Sequence, residues 1–209
     1  IWDMRYPGFR SFEGMVLYSS PNVGPKVAPG KYNIKMTYND QILQKEFEIV
    51  KDPRVKISQA DYEDQLEFLI NVRDEVSRAN QKIIDIRNIK NNMIFISEKT
   101  RDNTELQEMI NNYLTDVSEI ENNIHMTKNQ SRQDPLNYGI RINNRIAFLL
   151  ADSQRGDYPP TDQSKEFFIQ VKGELDSEVR KLDALIDKHS QKIENYLEEN
   201  KIELISLNN

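Results

Sequence analysis

The longest regular pattern of apolar and polar residues runs from Ser58 to Thr100 and predicts one long helix. Its apolar positions recur every three or four residues, which places them on one stripe of a helix: Tyr62, Leu66, Leu69, Val72, Val76, Ala79, Ile83, Ile86 and Ile89. Ser58 followed by Asp61 resembles a capping box. No Pro or Gly interrupts the run, so at 1.5 Å per residue the helix would be about 60 Å long. Such a helix needs partners that cover its stripe.

Three later segments supply such partners. Thr104 to about Asn129 carries an apolar heptad pattern. Asp134 and Pro135 predict the start of a shorter third helix that ends near Gly156, and Thr161 with Asp162 caps a fourth that extends to about Ile202. We therefore predict that residues 58–209 form an antiparallel bundle of three to four long helices.

Residues 1–57 have β-type patterns instead. Short strands are predicted at 1–4 and 15–18, and a hairpin with one buried face is predicted around a turn at Asn39 and Asp40. Its apolar residues alternate with polar ones: Tyr32, Ile34, Met36, Tyr38, Leu43, Phe47 and Ile49. So few strands make only half of an antiparallel sandwich. The fold class is thus α+β, mainly α, with an incomplete Ig-like β-sandwich ahead of the bundle.

An incomplete sandwich leaves one sheet face to be covered. Either earlier strands of a longer parent chain complete it, or the helices cover it. The chain opens with Ile1 in strand-like sequence, and we expect it to be a piece of a longer protein.

Charge and composition restrict the classes of function. The net charge is −6 and basic residues alternate with acidic ones, which argues against a nucleic-acid surface. The chain has no cysteine, so disulfides and thiolate metal sites are excluded. No run approaches the roughly 18 apolar residues of a membrane span.

No catalytic signature emerges from the polar residues. Asp183 and Asp187 share a helix face one turn apart, but they alternate with lysines and predict a solvated surface. His125 and His189 are too few for a histidine-rich metal site, and His189 occupies an apolar seam position, which predicts an interior or boundary side chain. We therefore expect no catalytic, metal or cofactor site in this chain.

The aromatic residues of the β-rich part are the remaining candidates for recognition. Trp2, Tyr6 and Phe9 could stack on a sugar ring or contact a protein partner. The alternative for these rings is ordinary core or inter-domain packing.

Several segments resemble the C-terminal region of large bacterial exported proteins described as BNR-repeat glycosyl hydrolases or sortilin-like propeller proteins. They are Ile1-Trp2-Asp3-Met4-Arg5-Tyr6-Pro7-Gly8, Gly24-Pro25-Lys26-Val27-Ala28-Pro29-Gly30-Lys31-Tyr32, Phe47-Glu48-Ile49-Val50-Lys51-Asp52-Pro53-Arg54, Asp134-Pro135-Leu136-Asn137-Tyr138 and Pro160-Thr161-Asp162-Gln163-Ser164. The β part is also similar to the second half of the Ig-like domain of the flagellar hook-capping protein. The resemblance implies a secreted or cell-envelope parent in which a β-propeller precedes this piece and would carry any hydrolase activity.

The resulting hypothesis is a non-catalytic C-terminal accessory module of an exported propeller protein, acting as a structural spacer or protein-interaction surface. A carbohydrate-binding accessory module is the first alternative. The second is a bundle whose exposed seam forms a homodimer.

Overall fold

The computed structural model describes residues 1–202 and 204, and it is mainly helical with a two-stranded antiparallel sheet. This confirms the mainly α form of the α+β class. The elements are β1 Gly30–Tyr38, β2 Gln41–Ile49, α1 Gln59–Lys99, α2 Thr104–Ile124, α3 Pro135–Tyr138, α4 Ile142–Ser153 and α5 Asp162–Glu199.

Local capping fixes where the two longest helices begin. Ser58 Oγ accepts the Asp61 backbone N–H at 3.2 Å, and Asp61 Oδ2 accepts the Ser58 N–H at 2.8 Å, which completes the predicted capping box of α1. Thr161 Oγ1 likewise accepts the Ser164 N–H at 3.1 Å at the start of α5. Both predicted starts are confirmed.

The helices form three rods rather than four. Near the end of α1, Ser97 Oγ donates to Gln107 Oε1 of α2 at 2.6 Å. Near its beginning, Gln65 Nε2 donates to the Ser153 carbonyl of α4 at 2.9 Å. Thus α2 and α4 follow one another along α1, antiparallel to it, and together make the second rod.

The third rod is α5, which runs parallel to α1. Lys165 Nζ lies 3.1 Å from Asp64 Oδ2 near the start of both helices, and Asp183 Oδ1 lies 3.6 Å from Lys82 Nζ further along both. The middle rod therefore lies antiparallel to both long helices.

The bundle core contains the predicted apolar stripes. Residues from all three rods are shielded from solvent and pack in one cluster, among them Val72, Val76, Ile83, Ile86, Leu106, Ile110, Ile124, Ile146, Leu175 and Leu182. In the described part of the chain no helix has the length and apolar character needed to cross a membrane, in line with the sequence prediction.

The prediction of one continuous third helix is wrong. The structure divides it into the four-residue α3 and α4, because Gly139 adopts a left-handed φ of 87° and interrupts the helix. α2 also ends earlier than predicted, at Ile124, since His125 has an extended backbone.

The prediction of short strands in the first 18 residues is also wrong. Residues 1–4 and 15–18 form no strands, and the Arg5–Lys26 pair is an isolated bridge. The chain instead lies along the bundle: Asn80 Nδ2 donates to the Arg10 carbonyl at 2.6 Å, and Tyr18 N–H donates to Asn144 Oδ1 at 2.8 Å. Helix side chains thus satisfy backbone groups of residues 10 and 18, while the Met4 carbonyl accepts the Val27 N–H at 3.0 Å.

Candidate functional site

The hairpin of β1 and β2 is the most unusual surface of the molecule. Its turn residues Asn39 and Asp40 both have positive φ, 42° and 63°, as a tight hairpin turn requires. The strands pair in regular register, with Tyr32 opposite Phe47 and Met36 opposite Leu43. Since opposite residues project to the same side of a sheet, the register assigns every side chain to one of two faces.

One face of the hairpin is mostly apolar and uncovered, and its polar members are Lys45, opposite Ile34, and Gln41, opposite Tyr38. We define the hairpin face as Ile34, Met36, Tyr38 and Leu43, whose exposed fractions are 56%, 54%, 69% and 60%. Within the described residues, neither strand packs against a helix. The predicted burial of this face is therefore wrong for this chain, and so is the alternative in which the helices cover it.

The opposite face is largely polar. Lys31 Nζ and Glu46 Oε1 form an exposed ion pair across the strands at 3.3 Å. Asn33, Lys35, Gln44 and Glu48 share this side, and Ile42 is its exposed apolar exception. The two faces therefore differ in the way that one covered and one solvated face of a sheet normally differ.

An aromatic cluster forms the base of the hairpin face. The ring centroids of Trp2 and Tyr32 are 6.2 Å apart, those of Trp2 and Phe47 are 6.2 Å apart, and those of Tyr32 and Phe47 are 5.8 Å apart. Trp2 Nε1 donates to the Arg5 carbonyl at 2.9 Å, and Tyr32 Oη donates to the Ala28 carbonyl at 2.6 Å. These contacts attach the chain start to the hairpin.

The structure brings two of the three predicted contact residues together. Trp2 and Tyr6 are exposed and both lie near Tyr32; burial raises the pKa of Tyr32, and the Tyr6 phenol adds to the rise. Phe9 is only 3% exposed and belongs to the bundle core, so its ring is not free to stack on a sugar. For Phe9 the alternative of ordinary core packing is therefore correct.

The strand edges are a second feature of the site. Because the described sheet has two strands, each strand has an outer edge whose backbone N–H and C=O groups have no partner strand. A further strand could add to such an edge by main-chain hydrogen bonds. The alternating pattern predicts the hairpin and an incompletely covered sheet face, whereas the open strand edges beside that face follow only from the structure.

The polar candidates lie elsewhere. Asp183 is on the surface beside Lys82, whereas His189 is buried with its ring stacked on Tyr113 at a centroid distance of 4.8 Å. The predicted interior position of His189 is confirmed. Among the residues that the structure describes, no group of three or more His, Asp or Glu side chains is arranged to hold a metal ion.

Comparison with known proteins adds no relative. No family model, curated protein or solved structure matches the chain. The case for the hairpin as a functional surface therefore depends on its geometry.

Proposed function

We propose that this chain is a non-catalytic accessory module of a larger exported protein, and that it docks on a β-structured partner through the hairpin face. The observation that supports this proposal is the exposure of Ile34, Met36, Tyr38 and Leu43 on one side of a regular hairpin. The bundle would act as a rigid spacer, and the hairpin as the protein-interaction surface.

Burial of the hairpin face would supply the energy for docking. Fully burying one large apolar side chain contributes about 1.5–3 kcal/mol, so four half-exposed ones offer several kcal/mol in total. A hairpin without a packed face is only marginally stable in water. Docking would therefore stabilise the hairpin and the complex together.

The open strand edges favour a β-structured partner. Main-chain hydrogen bonds to an outer strand would provide affinity, and alternate side chains would provide specificity. The resemblance to exported propeller proteins makes a propeller that precedes this chain in the same parent the first partner to test. Strands of that parent would also complete the Ig-like sandwich.

The two alternatives have less support. Three of the four residues of the hairpin face, Ile34, Met36 and Leu43, offer no flat ring to a sugar, and only Tyr38 does. The Trp2 indole N–H is already occupied by the Arg5 carbonyl. The stripes of the long helices are buried inside the bundle, which leaves little seam for a helical homodimer.

Thiol labelling can test docking, because the chain has no cysteine of its own. Leu43→Cys places a thiol on the hairpin face, and the neighbouring Gln44→Cys places one on the polar face. Both should react with a maleimide at similar rates in this chain alone. In the full-length gene product we expect the rate at position 43 to fall at least about tenfold, as burial of a reactive group requires.

The Gln44→Cys variant is the matched control and should keep its rate in both proteins. The unsubstituted gene product gives the background labelling. Equal rates at position 43 in the chain and in the full-length product would contradict docking of this face. Mass measurement on the same samples would reveal a second copy as the occupant.

A further inference from the structure

One segment of the chain, residues 10–18, lies across the bundle without forming a helix or a strand, and we call it the strap. The Arg10 N–H donates to Ser77 Oγ of α1 at 3.0 Å, and the Tyr18 N–H donates to Asn144 Oδ1 of α4 at 2.8 Å. Hydrogen bonds to individual helix side chains thus attach the strap to the bundle. A segment held in this way opens more easily than the helices beneath it.

The strap helps to bury a histidine. The ring of Phe12 packs edge-on against His125 at a centroid distance of 4.9 Å, and His125 is only 2% exposed. Arg87 of α1 lies 4.7 Å from the centre of the same Phe12 ring and donates to the Glu13 carbonyl at 2.7 Å. The strap therefore contacts the imidazole and a neighbouring guanidinium at one point.

A chain of hydrogen bonds joins His125 to the strap. Asn80 Nδ2 donates to the Arg10 carbonyl at 2.6 Å, and Asn80 Oδ1 accepts from Asn143 Nδ2 at 3.1 Å. Because a carbonyl can only accept, Arg10 fixes the orientation of the Asn80 amide, which in turn fixes that of Asn143. The same Asn143 Nδ2 lies 3.3 Å from His125 Nδ1, so this ring nitrogen must be an acceptor. The chain of bonds therefore selects the neutral imidazole with its proton on Nε2.

A protonated imidazole does not fit this chain of bonds. Both of its ring nitrogens carry a proton, so the His125 Nδ1–H would meet the Asn143 Nδ2–H. Asn143 Oδ1 has no hydrogen-bond partner among the described residues, and a turned amide could offer this oxygen to the imidazolium. The turned amide would then present an oxygen to Asn80 Oδ1, and the link to the strap would be lost. In either orientation a buried polar group loses its partner, which is costly in a protein interior.

The charges around His125 also oppose protonation. Arg87 of α1 repels an imidazolium, and burial together with this charge lowers the pKa of His125 to about 4. Glu121 of α2 attracts it, but this carboxylate already pairs with Arg87 at 2.9 Å and with Lys90 at 2.8 Å. α4 contributes the neutral Asn143 amide. The charged residues of the strap are both exposed: Arg10 and Glu13.

We propose that His125, Asn143 and Asn80 form an acid-sensitive switch, in which protonation of His125 releases the strap while the helices stay folded. Movement of the strap would let water reach the imidazolium, and the Arg10 carbonyl would bond to water instead of Asn80. This switch is independent of the docking function proposed above.

Hydrogen exchange of the whole chain, resolved by peptide, tests the switch. Protection of the strap amides, corrected for the intrinsic effect of pH, should fall about twentyfold between pH 7 and 5. This is the change expected for one group that has a pKa of 6.5 when accessible and about 4 when buried. At both pH values, amides of residues 68–90 in α1 should be protected at least about tenfold better than the strap.

His125→Asn is the decisive variant, because asparagine is polar but does not titrate. Protection of its strap should change less than about threefold between pH 7 and 5. His189→Gln is the matched control, since His189 is the other histidine of the chain and is also buried, stacked on Tyr113. It should keep the full fall in strap protection.

Four results would overturn the proposal. They are strap protection that does not depend on pH in the parent, a full fall that persists in His125→Asn, loss of the fall in His189→Gln, and equal protection of the strap and α1. The last result would mean that the strap opens only when the bundle unfolds. The parent and His189→Gln measurements keep the test decisive even if His125→Asn does not fold.

Discussion

Lowering the pH from 7 to 5 should reduce the free energy of unfolding by about 2 kcal/mol, because one buried histidine must stay neutral in the folded protein. That residue is His125, which is 2% exposed at the point where the middle rod is interrupted between α2 and α4. Burial, followed by the positive charge of Arg87, lowers the pKa of His125 to about 4, although Asn143 and Glu121 oppose the shift.

The surroundings of His125 explain why it does not reach water. Asn143 Nδ2 lies 3.3 Å from His125 Nδ1 and donates to Asn80 Oδ1 at 3.1 Å, so the imidazole belongs to a polar network inside the bundle. The ring of Phe12 packs against it edge-on at 4.9 Å. This network also ties the N-terminal segment to the helices.

The sign of the effect follows from the depressed pKa. In the unfolded chain His125 titrates near its ordinary pKa of 6.5, whereas in the folded protein it titrates near 4. Between these values the unfolded state binds more protons, so stability is complete above about pH 6.5 and falls as the pH drops towards 4. The slope within this window is about 1.4 kcal/mol per pH unit.

Carboxylates contribute only at lower pH. Burial raises the pKa of Glu121, but hydrogen bonds from Lys90 and Arg87 outweigh this and lower it below the ordinary 4.5. The contribution of Glu121 to stability is fully present above about pH 4.5, its ordinary pKa. It is lost as the pH falls through the lower pKa that Glu121 has in the folded protein. Measurements between pH 7 and 5 therefore exclude the contribution of Glu121, and the His125→Asn variant separates His125 from the other buried histidine, His189.

Urea unfolding at pH 7, 6 and 5 measures the loss. His125→Asn is the matched variant, because its shorter side chain is polar but does not titrate. We expect it to be less stable at pH 7 and to lose the part of the pH dependence that one proton produces. A parent and variant with identical slopes would show that His125 is not the group responsible.

Replacing Ile83 by Ala should destabilise the bundle by about 2–5 kcal/mol, which is the usual cost of emptying a close-packed core site. Ile83 is fully buried in the stripe of α1, in the cluster that the three rods share. Removing its outer carbons leaves a cavity that side chains on three helices cannot fill without moving.

Ile94→Ala is the matched control on the same helix. Ile94 is 47% exposed, so the same change should cost at most about 0.5 kcal/mol. Denaturant midpoints measure both effects, provided that the m-value is unchanged. Similar losses for the two variants would contradict the burial of the α1 stripe.

The sequence predicts the long helices because their signals are local and repeated. The stripe of α1 recurs over many turns, and Ser58 with Asp61 and Thr161 with Ser164 form their caps from neighbouring residues. The third helix is divided because the single residue Gly139 is left-handed. The apolar pattern on either side of Gly139 does not show that the helix stops there.

Long-range contacts are less accessible to sequence reasoning. Short apolar runs at 1–4 and 15–18 have strand-like composition, but Trp2 packs on the hairpin instead. Hydrogen bonds from Asn80 and Asn144 on distant helices hold residues 10 and 18 in an irregular path. No local sequence pattern predicts that Asn80 and Asn144 bond to this segment.

The candidate site was predictable only in part. Alternation correctly placed Ile34, Met36 and Leu43 with Tyr32 on one face of a hairpin. An alternating pattern shows which side chains share a face of a strand, but it does not show what covers that face. Only the structure could therefore show that these side chains are exposed. For the same reason, Trp2 and Phe9 could not be assigned to surface and core from their type alone.

Hydrogen exchange of this chain in solution, resolved by peptide, tests the open hairpin most directly. Amides of residues 30–49 should exchange at least about a hundredfold faster than those of residues 68–90 in α1, because the hairpin face packs against no helix. Protection of the hairpin equal to that of α1 would contradict an uncovered face and remove the basis for docking.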